Sequence, residues 1–198
     1  MRALVTSDWH VPFIDTKAVS KFFDILKKNK YDKIIIAGDW LDCYSISRFD
    51  NSPSRADDFQ YELTCAKELF EKIRKYHSGE IIFLEGNHCF RLKNFLSRGK
   101  NKALHNLACL ALDQLLDFKK YEITDAGLYY HLNDEFLITH GTRAGQQPAK
   151  GELDVHGMSG MSGHSHKSQV ARKNLYQKTI EWFSIGCLAN FEELTYAS

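Results

Sequence analysis

Three short apolar runs punctuate the first half of the chain: Ala3-Leu4-Val5 within 2–7, Ile34-Ile35-Ile36-Ala37, and Ile81-Ile82-Phe83-Leu84. Continuous runs of this length, rich in β-branched residues, suit strands covered on both faces, as in a parallel sheet. Between the first two, Val19, Phe22, Phe23 and Leu26 recur at helical spacing, with Thr16 as the expected N-cap. Between the second and third, Phe59, Leu63, Ala66, Phe70 and Ile73 mark another amphipathic helix, which starts after Asp57-Asp58. Residues 43–56 lack periodicity and contain Asn51-Ser52-Pro53-Ser54, so they read as a surface loop. Shorter helical patterns follow around 90–98 and 102–116. From Tyr121 the pattern becomes β-rich, with strands expected at 127–132 and 135–140, then a glycine-laden segment, then strands at 167–172 and 178–185.

The first half is therefore β-α-β-α-β with right-handed crossovers expected, and the second half is mostly strands joined by tight turns. Together they predict an α/β fold: two mixed β-sheets packed as a sandwich, helices flanking them, and one site along a shared edge. No repeat, linker or low-complexity tract interrupts residues 1–198, which read as one domain.

Composition narrows the picture only a little. With 198 residues the chain can bury one substantial core, and 43% hydrophobic with 26% charged residues is ordinary for a globular protein. A formal net charge of +1 gives no global attraction for nucleic acid or membranes, so any affinity for a polyanion must come from a local patch. The five cysteines, Cys43, Cys65, Cys89, Cys109 and Cys187, show no Cys-x-x-Cys spacing and read as reduced thiols. Met1 runs straight into a strand-like segment with no apolar export segment, and no stretch approaches membrane-spanning length. The expectation is a cytoplasmic protein with no membrane partner. The chain ends at Ser198 soon after an apolar strand, which leaves room for a further C-terminal segment.

The chemistry lies where the apolar runs stop. In order along the chain come Asp8-Trp9-His10, Gly38-Asp39 with Asp42, Gly86-Asn87-His88, His140-Gly141, and Gly163-His164 followed by His166. Strand ends in an open α/β sheet point into one crevice, so these residues can converge although they are far apart in sequence. All are types that bind divalent metals. Turn-forming Asp, Asn and Gly after strands would explain any one stretch, but not the whole ordered set. Two ions roughly 3.5–4 Å apart need a ligand that touches both, and Asp39 is the best bridge because Gly38 lets the backbone turn sharply after a buried strand. Asp8 and His10 lie two apart, so on an extended tail both point the same way and share one ion. His164 and His166 have the same spacing, but a turn at Gly163 can aim them at different ions. Asn87 and His140 supply neutral ligands. Asp, Asn and His without thiolate suit Mn²⁺, Fe or Zn²⁺ better than a structural zinc site.

With these residues assembled, the chain resembles the calcineurin-like metallophosphoesterase superfamily, whose motif order is Asp-x-His, Gly-Asp-x-x-Asp, Gly-Asn-His, a lone His, and Gly-His-x-His. The matches run from residue 8 to residue 166. The resemblance implies that superfamily's four-layer sandwich and two divalent ions, manganese first, with zinc, iron, nickel or magnesium as alternatives. One ion would be held by Asp8, His10, Asp39 and His166, the other by Asp39, Asn87, His140 and His164. It further implies in-line attack on phosphorus by a hydroxide between the ions, with His88, oriented by Asp42, protonating the leaving oxygen. Where Ser/Thr protein phosphatases of the superfamily carry an Arg after Gly-Asp-x-x-Asp and an acid after Gly-Asn-His, this chain has Cys43 and Cys89. Both changes argue against a protein phosphatase and leave the phosphate clamp open among Arg48, Arg91 and Arg143. The wording Ser-Asp-Trp-His-x-Pro-Phe and Gly-Asp-x-Leu-Asp-Cys-Tyr-Ser is similar to small phosphoesterases encoded by bacteriophages and prophages, which would place this one in a host cytoplasm.

The expected activity is that of a phosphodiesterase on nucleotides or nucleic acid. A phosphomonoesterase and a non-catalytic metal-binding scaffold are the alternatives, and homodimerisation stays open. A scaffold has no use for a proton donor, so the presence of both His88 and Asp42 weighs against it. Arg91, Lys93, Arg98, Lys100 and Lys102 crowd residues 90–102 without one acid. They make either a solvated helix face or a groove that tracks a phosphate backbone. Trp9 and Trp40 either stack a substrate group or pack beneath the site. His77, His105 and His131 read as surface histidines, and His156 is a weaker candidate for substrate contact.

Overall fold

A computed structural model describes residues 1–48 and 58–194. Residues 49–56 of the loop expected at 43–56, including Asn51-Ser52-Pro53-Ser54, lie outside the described residues. Two sheets carry the fold. The first is β1 (Ala3–Thr6), β2 (Lys33–Ala37), β3 (Glu80–Leu84) and β4 (Ile123–Asp125), in that order. All its pairings are parallel, so this sheet is not mixed as expected. The reason lies in the connections: each of the first two is a helical crossover, α1 (Thr16–Lys28) and α2 (Phe59–Tyr76), which returns the chain in the same direction.

The second sheet is mixed. Its order is β5 (Tyr129–Asn133), β6 (Phe136–Thr139), β7 (Ser159–Ser162), β9 (Thr179–Ser184) and β8 (Gln169–Asn174). Two antiparallel hairpins, β5–β6 and β8–β9, flank a central parallel trio of β6, β7 and β9.

Period-two alternation along the strands builds the layers. Ile34 and Ile36 of β2, with Ile81 and Phe83 of β3, face the helices and pack with Phe22, Phe23, Phe70 and Ile73. Ile35 and Ala37, with Ile82 and Leu84, face the other way and meet Ile138 of β6 between the sheets. Leu137 and Trp182 then face α5 (Pro148–His156), through Ala149 and Leu153. The order is helices, parallel sheet, mixed sheet, helix. Each such fully buried large side chain contributes about 1.5–3 kcal/mol relative to exposure.

Four local expectations are corrected. The cap of α1 is Asp15, not Thr16: its Oδ1 accepts the N–H groups of Lys17 at 2.8 Å and Ala18 at 3.0 Å. Residues 102–116 do not form one helix. Short 3-10 turns at Gly99–Leu104 and Ala108–Leu110 precede a single-turn helix, α4 (Leu112–Leu115), because no long apolar stripe holds them to the core. Within the glycine-laden segment stand α5, with Pro148 in its first turn and left-handed Gly157 closing it, and the central strand β7. A strand ahead of residue 127, β4, was not expected, because its three residues are too few to show an apolar run. Among the described residues no helix is long and apolar enough to cross a membrane.

Candidate active site

Five strands deliver the motif residues. Asp8, Asp39 and Asn87 follow the C-terminal ends of β1, β2 and β3, while His140 and His164 follow those of β6 and β7. The loops they open are laced together. Asp8 N–H donates to the Gly38 carbonyl at 3.1 Å, His10 N–H to that of Asp39 at 3.0 Å, and Val11 N–H to that of Trp40 at 2.9 Å. The Asp39 carboxylate accepts His88 N–H at 2.8 Å, and Asp8 Oδ2 accepts His164 N–H at 3.0 Å. Each acid is thus fixed by the backbone of a different motif.

Asp8 and His10 do not sit on an extended tail. Their φ values are 55° and 48°, and Asp39, His164 and His166 are also left-handed at 49°, 65° and 57°. Non-glycine residues occupy that region rarely, and the strain is held by the loop hydrogen bonds above. Two glycines are required by close approach. A Cβ on Gly38, itself at φ 89°, would meet His140 Nδ1 at 2.5 Å, and one on Gly86 would meet Asp39 Oδ1 at 2.1 Å.

The side chains gather in two groups that meet at Asp39. In one, His166 Nε2 is 3.3 Å from Asp8 Oδ1 and 3.0 Å from His10 Nε2. In the other, Asn87 Oδ1 is 2.9 Å from His140 Nε2 and 2.8 Å from His164 Nδ1. Asp39 Oδ2 stands 3.1 Å from His140 Nε2 and 4.0 Å from His10 Nε2. Ligand atoms of Asp8, His10 and His166, and likewise of Asp8, Asp39 and His140, lie within 4.8 Å of one another. A third such set, His10, Asp39 and His88, brings His88 to the same centre. The turn at Gly163 does send His164 and His166 to different groups. His10 Nδ1 faces Asp42 Oδ2 at 3.1 Å, and His140 Nδ1 faces the Ala37 carbonyl at 2.9 Å, so each ring is oriented with Nε2 inward.

Charge in this cluster is extreme. Burial opposes ionisation of Asp8, Asp39 and Asp42, yet hydrogen bonds and charge from the surrounding histidines outweigh it and hold all three well below the usual carboxylate range. Burial likewise opposes protonation of His10 and His140, but the same carboxylates raise them to about 10 and about 9. Burial and the charge of His140 lower His164.

Asp42 joins the cluster to His88. Its carbonyl is 2.8 Å from His88 Nδ1 and its Oδ2 is 3.4 Å from the same atom. Of the three arginines left open by the sequence, Arg91 is the one at this pair. Its Nη1 donates to the Asp42 carbonyl at 2.9 Å and to Oδ1 at 3.0 Å, and its Nη2 is 3.0 Å from His88 Nε2. Guanidinium only donates, so with Nδ1 giving its proton to Asp42, Nε2 accepts from Arg91. Arg143 instead lies along Gly151, where an added Cβ would come within 3.0 Å of its Cγ.

Glu62 carried no sequence signal beyond helical spacing. It is buried on α2 and its carboxylate accepts the N–H groups of Cys43 at 2.7 Å and Tyr44 at 3.0 Å, which braces the turn after Asp42. Burial and the charge of Asp42 push it up to about 8 against those hydrogen bonds. Glu152 on α5 does the same after His140, accepting the N–H groups of Thr142 and Arg143. Cys43 and Cys89 are buried, and burial pushes both thiols up, Cys89 to about 12. Trp9 and Trp40 are fully buried, and Trp40 stacks on Phe70 at 4.4 Å, so both pack beneath the site. His77 is buried rather than superficial, with Nε2 3.0 Å from the Glu80 carbonyl, while His105 and His131 are exposed. His156 stacks on Trp182 at 4.9 Å and faces Glu152 at 3.3 Å.

A model of the calcineurin-like phosphoesterase family matches residues 1–191. The Gene 54 protein of Mycobacterium phage L5 is 23% identical over 211 residues, covering 98% of this chain and 82% of that protein. The Gene 54 protein of Mycobacterium phage D29 is 24% identical over 209 residues, with coverage of 98% and 82%. Among solved structures, the Pseudomonas putida nuclease MPE aligns at 13% identity and a TM-score of 0.45, over 93% of this chain and 73% of that one. A Vps29 single mutant from Entamoeba histolytica aligns at 13% identity and a TM-score of 0.46, over 99% and 80%.

Proposed function

The chain belongs to the calcineurin-like phosphoesterase family, and from that premise we propose that it is a dinuclear metal-dependent phosphodiesterase acting on nucleotides or nucleic acid in the cytoplasm, that of a host cell if the gene is phage-borne. The observation that carries the reading is the place of Asp39, one carboxylate within 3.1 Å of His140 Nε2 and 4.0 Å of His10 Nε2, between two groups of ligand atoms. The donor set fits divalent ions: the buried carboxylates of Asp8 and Asp39 converge with imidazoles and the amide of exposed Asn87, and no thiolate is among these ligands. Asp8, His10, Asp39 and His166 would hold one ion, and Asp39, Asn87, His140 and His164 the other, with manganese the metal of choice. Bound there, such ions acidify a water and neutralise charge that builds on phosphoryl oxygens.

The remaining residues handle the leaving group. Asp42 fixes the His88 ring through Nδ1, which leaves Nε2 to deliver a proton to the departing oxygen. Arg91 now covers that nitrogen, so substrate must draw the guanidinium outward, where it binds a phosphoryl oxygen. Cys43 and Cys89 are buried and contribute no further clamp. A diester, with one non-bridging charge rather than two, needs less clamping.

The test compares bis-(p-nitrophenyl) phosphate with p-nitrophenyl phosphate on Mn²⁺-loaded protein. Faster hydrolysis of the diester, abolished by chelator, is expected. Preference for the monoester, or activity indifferent to chelator, overturns the reading.

A further inference from the structure

A cleft of about 280 Å³ opens beside Asn87, walled by Ser47 and Arg48 on one side and by Arg91, Asn94 and Arg98 on the other. Arg91 and Asn94, three apart, share one face of α3 (Cys89–Leu96), and Asn87 just before the helix and Arg98 just beyond it line the same cleft. The cleft begins at Asn87, where the candidate metal centre begins, and reaches Arg98 beyond the end of the helix. Lys93 is turned off this face and tied to Glu85 at 2.6 Å, so the run of basic residues is sorted by the helix into a cleft face and a paired face. The guanidinium groups of Arg48, Arg91 and Arg98 line the cleft, and among the described residues no carboxylate lines it. Arg91 is engaged by Asp42 at the inner end, while the side chain of Arg98 at the outer end has no carboxylate partner among the described residues. A guanidinium is a planar fork of N–H donors, which matches phosphate oxygens.

We propose that this cleft is a second phosphate subsite, which holds the phosphate next to the one being cleaved. The substrate class is therefore a nucleotide chain or nucleotide bearing two phosphates on one nucleoside, not an isolated diester. The inference rests on the phosphodiesterase reading for the identity of the first phosphate. It commits Arg98 and Arg48 to substrate binding, with Arg91 bridging the cleft to His88.

Binding of thymidine 3′,5′-bisphosphate, thymidine 3′-phosphate and thymidine 5′-phosphate to the Mn²⁺-loaded protein, measured by calorimetry, tests it. The bisphosphate should bind at least about tenfold more tightly than either monophosphate, the worth of one charge-assisted hydrogen bond. Arg98→Gln should remove most of that advantage, and Arg48→Gln with Arg98→Gln should remove the rest. Equal affinity for all three ligands, or an advantage that survives the double substitution, overturns the subsite. If the advantage appears and vanishes with Arg98 but the chromogenic diester is not hydrolysed, the subsite stands and the phosphodiesterase reading falls.

Discussion

His88 is held by Asp42 on one nitrogen and covered by Arg91 on the other. Removing the ring should therefore cost proton delivery and little else. His88→Ala should keep metal content near that of the parent while turnover falls roughly 10²–10⁴-fold for alkyl diesters, the usual worth of a positioned acid, and less for activated aryl esters. Equal losses for both ester types would mean that the site collapses. Glu62 gives a second test at this scale. Its carboxyl is raised from 4.5 to about 8, so the folded chain keeps a proton that the unfolded chain releases. The stabilisation is complete below pH 4.5 and is lost as pH rises through about 8. Glu62→Gln, which cannot ionise, should gain on the parent over that window; a stability difference that stays flat with pH in denaturant titrations would refute the assigned shift.

At the level of elements, helix starts and strand ends decide where chemistry is placed. The α1 crossover carries the chain from the Asp8–His10 loop back to β2, and its start is set by Asp15 rather than Thr16. Asp15→Ala should lower stability by about 1 kcal/mol, as loss of an N-cap does, whereas Thr16→Ala should change it by a few tenths. Chemical denaturation of the two variants separates the assignments, and a larger effect at Thr16 would restore the sequence expectation. The swap was illegible because Asp and Thr are both capping types, and only the observed hydrogen bonds from Lys17 and Ala18 choose between them.

For the whole molecule, two sheets bring five strand ends to one edge, and the cluster they form holds its acids by protonating its histidines. With His10 raised to about 10 and His140 to about 9, both carry protons at pH 7, and metal ligands must be neutral. Metal uptake should therefore expel protons, and affinity should climb steeply as pH rises toward 9. Calorimetry in buffers of different ionisation enthalpy reads the protons released; none released would show that the histidines are neutral in the metal-free protein. Asp39→Asn should weaken both ions together, seen as metal content falling from about two per chain toward zero. Loss of a single ion would show that Asp39 serves one ion alone.

The sequence by itself carried all the strands except β4 and β7, the two crossover helices and the ordered metal-binding types, because each is a local signal: an apolar run, an amphipathic repeat, or a ligand type where such a run stops. It did not carry the central strand β7, whose Ser159-Gly160-Met161-Ser162 has little β-preference. That strand exists because β6 and β9 pair with it on both sides and Trp182 fills the space a Cβ on Gly160 would need. Nor did it carry α5, with its short stripe of Ala149 and Leu153, or the bracing acids Glu62 and Glu152. Sequence spacing left Arg48, Arg91 and Arg143 equal. Tertiary structure sets Arg91 against Asp42 and His88 through contacts between segments far apart in the chain, and those contacts depend on packing that no local pattern encodes.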